Sequence, residues 1–186
     1  PSGIIRGYDV NTAALLWVID TGAEDPNKIP GPGQKYVHNS PNAWAPLAYD
    51  EKLDIVYVPT GVGTPDIWGG NRTELHERYA NSMLAINAST GKLIWNFQTT
   101  HHDLWDMDVP SQPSLAAVVV IGTNVPEIYV LTKTGNAFVL DRRNGEAIVP
   151  ITERPVPQSV KRGPQTKGER YSPTQPFSDF DLAPKD

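Results

Sequence analysis

Residues 85–95 read AINASTGKLIW, a pattern that predicts two β-strands joined by a tight turn. The side chain of Asn87, at the end of the first strand, can bond the backbone of the turn. Gly91 can supply the positive φ angle that such a turn requires. The second strand then carries the large aromatic side chain of Trp95 toward the interior, so the stretch predicts a β-hairpin.

The same pattern occurs twice more along the chain. Residues 7–17 read GYDVNTAALLW, and residues 139–149 read VLDRRNGEAIV, with Val149 where the other two copies have Trp. The spacing of the three copies is uneven, which indicates similar units separated by insertions of different length. Repeated antiparallel units with a turn and a Trp are typical of β-propellers.

Further strands are predicted by alternating apolar residues and by β-branched content. They cover residues 53–59, 82–87, 116–121, 127–131 and 137–140. Helix signal is confined to residues 74–80, with Thr73 as the expected N-cap. The sequence therefore predicts an all-β fold.

Prolines become frequent after residue 150. Residues 151–186 are predicted to form an irregular Pro-rich connection or insertion, because proline interrupts regular elements. The prolines are Pro155, Pro157, Pro164, Pro173, Pro176 and Pro184. Three aromatic residues, Tyr171, Phe177 and Phe180, are expected to attach this segment to a neighbouring part of the molecule.

Composition excludes several classes of function. Hydrophobic residues make up 39% and charged residues 20% of the chain, as in soluble globular proteins. The chain has no cysteine, which excludes disulfides, thiolate metal sites and cysteine nucleophiles. With a net charge of -5 and no basic patch, nucleic acid is not an expected partner. The first residue is not Met and lies in strand-like sequence, so we expect an internal piece of a longer protein.

Four segments between and after the repeats carry a family resemblance. They read NAWAP (42–46), GVGTPDIWGGNR (61–72), HHDLWDMD (101–108) and TKTGN (132–136). In this order they resemble segments of the membrane-bound glucose dehydrogenases that depend on pyrroloquinoline quinone (PQQ). The repeats themselves resemble the tryptophan-docking motif of quinoprotein dehydrogenases. The similarity runs from residue 1 to about residue 157.

The resemblance implies a fold and an activity. The fold is part of an eight-bladed quinoprotein-type β-propeller, of which residues 1–150 supply about two to three blades and part of the PQQ site. The activity is oxidation of the C1 hydroxyl of glucose to a lactone, with electrons passed from PQQ to ubiquinone. The expected location is the periplasmic side of the bacterial inner membrane, with the membrane contacted by regions outside this chain.

The resemblance also assigns the catalytic base to Asp106. A carboxylate can accept the proton of a substrate hydroxyl only if it is held close to that hydroxyl. The same run contains Asp103 and Asp108, and the residues by themselves do not rank the three acids. His101 and His102 could be read as metal ligands, but adjacent side chains on a strand point to opposite faces and poorly suit one shared ion. They are therefore predicted to be structural.

Three further residues are assigned to the cofactor by resemblance. Trp44 matches the indole that forms the floor under the PQQ ring, and Lys133 matches a cation that contacts the quinone oxygens. Thr64 stands where the alcohol dehydrogenase branch has a metal-binding Asn. Thr64 and Asp106 are therefore the expected ligands of a divalent cation, Ca²⁺ or Mg²⁺, both of which prefer oxygen.

Two alternative functions remain open at this stage. One is a quinoprotein that acts on quinate, shikimate or a polyol, since such relatives share much of the same core. The other is a non-catalytic PQQ-like propeller that serves as a binding scaffold. A scaffold needs the docking repeats only, so the joint presence of Trp44, Asp106 and Lys133 favours an enzyme.

Overall fold

The computed structural model describes residues 2–120, 123–158 and 169–180. Within these ranges the chain forms eleven strands and one short helix, α1. The strands are β1 (Ile4–Tyr8), β2 (Leu15–Asp20), β3 (Ala48–Asp50), β4 (Ile55–Pro59), β5 (Ser82–Asn87), β6 (Leu93–Gln98), β7 (Ser114–Val120), β8 (Thr123–Leu131), β9 (Ala137–Asp141), β10 (Ile151–Pro155) and β11 (Thr174–Ser178), and α1 is Glu74–Glu77. The prediction of an all-β fold is confirmed.

Strands pair antiparallel in chain order and form four sheets in the described part of the chain. The order β3-β4-β5-β6 makes a four-stranded sheet, and β7-β8-β9 makes a three-stranded one. A bridge between Leu140 and Ala147 continues the latter at its edge. The pairs β1-β2 and β10-β11 form two small sheets.

Most predicted elements occur where expected, with shifted ends. The strand predicted from residue 53 begins at Ile55, because Asp54 has a φ of 53°, outside the β region. Thr73 caps α1 as predicted, but the helix ends at Glu77, before residue 80. Residue 121 of the strand predicted at 116–121 lies outside the described residues. No described helix has the length and apolar character that a bilayer crossing requires.

Residues 151–186 are less irregular than predicted. They contain β10 and β11, which pair with each other in the register Glu153 to Pro176 and Pro155 to Thr174. In a two-stranded sheet each strand has one unpaired edge. A proline is tolerated there, because the position where its N–H is missing can face that edge. Residues 159–168 and 181–186 of this segment lie outside the described residues.

Strand β5 lies at the centre of the core, with both of its faces covered. Met83 and Ala85 belong to a hydrophobic cluster that includes Phe138 of β9. Leu84 and Ile86 belong to a second cluster on the opposite face, which includes Ile19 of β2. Because side chains alternate along a strand, this division places the four-stranded sheet between the sheet β7-β8-β9 and the pair β1-β2.

Each docking Trp lies against the turn of the following repeat. Trp17 donates from Nε1 to the carbonyl of Ala88 (2.8 Å), and Trp95 donates to the carbonyl of Arg142 (3.2 Å). Their rings cover the turn glycines: a Cβ added to Gly91 would lie 2.5 Å from Trp17 Cγ, and one added to Gly145 would lie 2.9 Å from Trp95. The two contacts are equivalent, so the repeats interlock in sequence.

The three turns follow the predicted chemistry. The side-chain oxygen of Asn87 accepts from the Thr90 amide, and Asp9 accepts from Thr12 in the same way. Gly91 has a φ of 71°. In the first repeat the corresponding residue is Ala13, which adopts a φ of 57°. A Cβ at this angle is unfavourable, so the first turn carries backbone strain.

We expect Ala13→Gly to raise stability by roughly 0.5 kcal/mol. Relief of the left-handed strain exceeds the entropy that a glycine adds to the unfolded chain. The measurement is the urea unfolding midpoint of the intact protein. Ala14→Gly is the matched control, because Ala14 is not among the residues with positive φ and should lose stability. Equal losses for the two variants would contradict the prediction.

Candidate active site

Asp103 is buried inside the loop of residues 101–108 and is only 1% exposed. Its Oδ1 accepts from the Trp105 amide (2.8 Å), and its Oδ2 accepts from the Met107 amide (2.5 Å) and from Asn81 Nδ2 (2.6 Å). Burial raises the pKa of the Asp103 carboxyl, and the hydrogen bonds oppose that shift only in part. Both carboxylate oxygens of Asp103 are therefore occupied by hydrogen bonds within the protein.

Asp108 is also buried and fully engaged. Its Oδ1 accepts from the Val62 amide (2.8 Å), and its Oδ2 accepts from Trp44 Nε1 (2.7 Å). A Cβ on Gly61 would lie 2.5 Å from Oδ2, so the glycine allows the carboxylate to approach the backbone. Asp108 thus fixes the orientation of the Trp44 indole.

Asp106 differs from the other two acids because its side chain is 51% exposed. Lys133 Nζ lies 3.1 Å from its Oδ2 and donates to its backbone carbonyl over 2.7 Å. The residue has a φ of 59°, which Asp tolerates better than most side chains. Of the acids in this loop, Asp106 alone presents its carboxylate to a molecule outside the protein.

Lys133 also joins Asp106 to Trp44. Its Nζ lies 5.8 Å from the centroid of the Trp44 ring, and the Trp44 side chain is exposed by 55%. An aromatic face at this distance from an ammonium group attracts it electrostatically. The structure therefore brings together three of the four predicted site residues.

The fourth predicted site residue is Thr64. It is exposed and borders a cavity of about 130 Å³ with His38, Asn39, Pro65, Asn71, Arg72 and His76. No contact described by the structure joins Thr64 to Asp106. Across residues 2–120, 123–158 and 169–180, no group of three His, Cys, Asp or Glu side chains could hold a metal ion.

Comparison with known proteins assigns the family. The whole chain, residues 1–186, matches the family model described as the β-propeller domain of PQQ glucose/ethanol/alcohol dehydrogenases. The chain belongs to this PQQ dehydrogenase family. The prediction of a partial quinoprotein-type propeller is confirmed. The sheet β3–β6 has four strands, as one propeller blade does.

Similar proteins support the same assignment. Quinoprotein glucose dehydrogenase A of Acinetobacter calcoaceticus is 82% identical over 100% of this chain and 23% of its own length. The quinate/shikimate dehydrogenase (quinone) of Acinetobacter baylyi is 42% identical over 96% of the chain and 22% of its own length. The chain thus spans less than a quarter of the curated relatives it matches.

A solved structure shows the same fold. A quinohemoprotein alcohol dehydrogenase from Pseudomonas putida HK5 superposes with a TM-score of 0.62 at 27% sequence identity, covering 81% of this chain and 25% of that one.

The side chains of this PQQ dehydrogenase domain fit a flat, anionic cofactor. Trp44 offers an exposed indole whose plane is fixed by Asp108, and Lys133 supplies a positive charge beside that ring. Stacking on an aromatic plate and a nearby cation are what a planar ring with carboxylates and quinone oxygens requires. A divalent cation fits less well, because no group of three His, Cys, Asp or Glu side chains in the described ranges could hold one.

Two residues that sequence reasoning missed form buried hydrogen bonds to the loops of the PQQ dehydrogenase site. Arg72, almost fully buried, donates to the carbonyls of Pro65, Asp66 and Asp103. Asn81 is fully buried and donates to Asp103. Arg72 was visible in the sequence only as part of a motif, and nothing in the pattern indicates that it links two loops.

The two histidines have separate protein partners, as predicted for structural residues. His101 contacts Gln98 through Nδ1 (2.6 Å) and Glu153 through Nε2 (3.0 Å). His102 contacts Glu77 through Nδ1 (2.8 Å). The rings thus attach the loop of the PQQ dehydrogenase site to α1 and to β10.

Residues 169–180 lie along the same loop. Tyr171 stacks on Trp105, with 5.8 Å between ring centroids. Gln175 bonds both the amide and the carbonyl of His101, over 2.8 and 2.7 Å. Phe180 meets Tyr129 edge-on, and Phe177 lies beside the guanidinium of Arg154. Tyr171 and Phe180 thus contact residues outside the segment 151–186, as predicted, whereas the contact of Phe177 with Arg154 lies within that segment.

Proposed function

We propose that the protein oxidises the C1 hydroxyl of glucose to a lactone with PQQ as cofactor and passes the electrons to ubiquinone. The observation that supports this proposal is the convergence of Trp44, Lys133 and Asp106 at one exposed place in a PQQ dehydrogenase domain. The high identity to a protein named quinoprotein glucose dehydrogenase favours glucose over quinate.

Trp44 acts as the platform for the cofactor in this proposal. Its exposed face provides apolar area, and the hydrogen bond from Nε1 to Asp108 prevents the ring from rotating. A platform that is already oriented loses little rotational freedom when the ligand binds. PQQ held on Trp44 would supply the chemistry of a two-electron oxidant that accepts a hydride.

Lys133 has two tasks in the proposed reaction. Its ammonium holds the Asp106 backbone carbonyl and carboxylate, which orients the base. The same positive charge stabilises negative charge that develops on an oxygen of a ligand lying on Trp44.

Asp106 is the proposed general base. Its exposed carboxylate accepts the proton of the C1 hydroxyl while the C1 hydrogen leaves as hydride, so that a C=O bond forms at C1. The Lys133 ammonium, 3.1 Å from Oδ2, fixes where that carboxylate stands.

A divalent cation, Ca²⁺ or Mg²⁺, is proposed for the holoenzyme with Thr64 and Asp106 as ligands. The described residues do not build that site by themselves, because Ca²⁺ takes about six to eight oxygen ligands. Thr64 offers one hydroxyl, at the border of the cavity that His38 and Arg72 also line. No step of the proposed mechanism depends on the metal.

The remaining parts of the proposal concern partners outside this chain. The acceptor is ubiquinone, and the domain lies on the periplasmic side of the bacterial inner membrane, which other regions of the protein contact. Nucleic acid has no role. Oxidation of glucose by inner-membrane vesicles with a ubiquinone analogue as acceptor tests both points, and a strict requirement for a soluble acceptor would contradict them.

A substrate panel separates the proposal from its nearest rival. The intact, PQQ-loaded protein should reduce an artificial dye with glucose and other aldoses, and not with quinate, shikimate or glycerol. Turnover with quinate and none with glucose would assign the rival function. Failure to bind PQQ in equilibrium dialysis would favour the non-catalytic scaffold.

We expect the dissociation constant for PQQ to rise about 10-fold in Trp44→Phe and about 100-fold in Trp44→Ala. The Phe ring keeps the platform but leaves buried Asp108 Oδ2 without its indole partner. Equilibrium dialysis of PQQ against the intact protein is the measurement. Trp68→Phe is the control, since the Trp68 ring packs against Gly70 and no hydrogen bond or ring contact described by the structure joins it to Trp44 or Asp108. An unchanged constant in Trp44→Ala would refute the platform role.

A further inference from the structure

One carboxylate accepts hydrogen bonds from the amides of the residues before and after Asp106. The Trp105 amide donates to Asp103 Oδ1 over 2.8 Å, and the Met107 amide donates to Asp103 Oδ2 over 2.5 Å. Met107 N belongs to the peptide group that begins at the Asp106 carbonyl, whose oxygen accepts from Lys133. The backbone on both sides of Asp106 is therefore held by the Asp103 side chain.

Asp106 needs such support because of its backbone conformation. Its φ of 59° lies in the left-handed region, which a non-glycine residue adopts only when the surroundings impose it. Without the two bonds to Asp103, the peptide groups around Asp106 could relax toward more common angles. That relaxation would rotate the Asp106 carboxylate away from its present direction.

Asp103 is itself fixed by the surrounding structure. Asn81 Nδ2 donates to its Oδ2 over 2.6 Å, and Arg72 donates to its backbone carbonyl. Asn81 is anchored in turn, because its amide donates to the Gly61 carbonyl and its own carbonyl accepts from the Thr99 amide. The anchor of the loop thus rests on buried backbone next to β5 and β6.

Arg72 extends this arrangement to a second loop. Its Nη2 donates over 3.0 Å to both the Pro65 and the Asp66 carbonyls, while its Nη1 reaches the Asp103 carbonyl. The segment after Thr64 and the loop that carries Asp106 are therefore held by one guanidinium. Because the guanidinium is planar and has several donors, it can set the spacing of both loops at once.

We propose that Asp103 is a positioning residue, which, together with Asn81 and Arg72, sets the direction of the Asp106 carboxylate. The inference rests on the proposed role of Asp106 as the base and adds the residues that aim it. Asp103 does not react, because it is 1% exposed and both of its oxygens accept hydrogen bonds within the protein. Its effect on turnover comes only through Asp106.

The test replaces Asp103 by Asn in the intact, PQQ-loaded protein. An amide has the same shape but one acceptor oxygen, so whichever way it turns its nitrogen faces a donor: the Trp105 amide, or those of Met107 and Asn81. We expect kcat for glucose to fall about 10- to 100-fold, since a small misplacement of a reacting group has effects of this size. KM for glucose and the PQQ dissociation constant should stay within about threefold, because Asp103 touches neither ligand.

Asp50→Asn is the matched control for loss of a buried turn carboxylate. Asp50 is also buried, accepts from the Lys52 and Leu53 amides, and pairs with Arg142. We expect its substitution to lower the unfolding temperature while leaving kcat within about twofold. A similar kcat in both variants would overturn the proposal. So would a fall in kcat in Asp103→Asn that comes with equally large rises in KM and in the PQQ dissociation constant.

A second substitution tests for rescue. Asn81→Asp added to Asp103→Asn gives the new amide nitrogen an acceptor when that nitrogen turns toward residue 81, and should recover kcat by about threefold or more over the single variant. A double variant no better than the single one would count against the positioning role. If Asp103→Asn does not fold, Arg72→Lys is judged by the same split between kcat and KM, with an expected fall in kcat of about 3- to 10-fold.

The outcome also separates this inference from the proposed function. If Asp106→Asn keeps its turnover, the assignment of the base fails, and with it the role of Asp103. If Asp106→Asn is inactive but Asp103→Asn behaves like Asp50→Asn, the positioning role alone fails.

Discussion

Replacement of Asp106 by Asn should lower kcat for glucose about 10³-fold or more. The amide cannot accept the proton of the C1 hydroxyl, and general base catalysis contributes roughly 10²- to 10⁴-fold. The change removes one charge from a half-exposed side chain and keeps its shape. PQQ affinity should therefore change by less than about threefold, because Trp44 and its bond to Asp108 are untouched.

The measurement is the steady-state rate of dye reduction, with PQQ occupancy determined separately by dialysis. Asp25→Asn is the control: Asp25 is another exposed acid, and its side chain binds only the Asn27 amide in the described structure. If Asp106→Asn turns over glucose within about tenfold of the unchanged protein, Asp106 is not the base.

Replacement of Gly91 by Ala should destabilise the protein by about 2–5 kcal/mol. The left-handed φ of 71° adds about 1–2 kcal/mol for any residue with a Cβ. The new methyl group would also lie 2.5 Å from Trp17 Cγ, and such overpacking adds about 1–3 kcal/mol. Trp17 would have to leave the turn or lose its bond to the Ala88 carbonyl.

Urea unfolding of the intact protein, followed by Trp fluorescence, measures this loss. Gly33→Ala separates the two contributions, because Gly33 has a similar φ of 78° but no atom within 4 Å of the added Cβ. We expect Gly33→Ala to lower stability by about 1 kcal/mol. Equal midpoints for the two variants would show that the contact with Trp17 contributes little.

The hairpins could be predicted from sequence because their determinants are local. Asn87, Gly91 and Trp95 lie within nine residues, and each acts on its own turn or strand. The partners of the Trp rings were not predictable, since Trp17 meets a carbonyl 71 residues away and Trp95 one 47 residues away. The strands β10 and β11 were missed because their prolines tolerate pairing only where an edge is free.

The site was predictable through family resemblance more than through chemistry. Three acids in one run have the same local pattern, and only burial separates Asp106 from Asp103 and Asp108. The role of Thr64 as a metal ligand stays a prediction. Arg72 was missed because its role depends on three carbonyls in two loops, and a sequence pattern carries no information about a folded distance.

The docking of Trp17 and Trp95 on turn carbonyls also bears on how such a domain can change in evolution. An indole that binds a main-chain oxygen and covers a glycine depends little on the other side chains of the turn, and not at all on the length of chain between one repeat and the next. Segments inserted there can lengthen, shorten or exchange residues while the assembly of repeats persists. Trp44, Asp106 and Lys133 all stand in such inserted segments, outside the repeats themselves. The scaffold and the chemistry are thus free to vary separately, and substrate preference can diverge on a framework that stays the same.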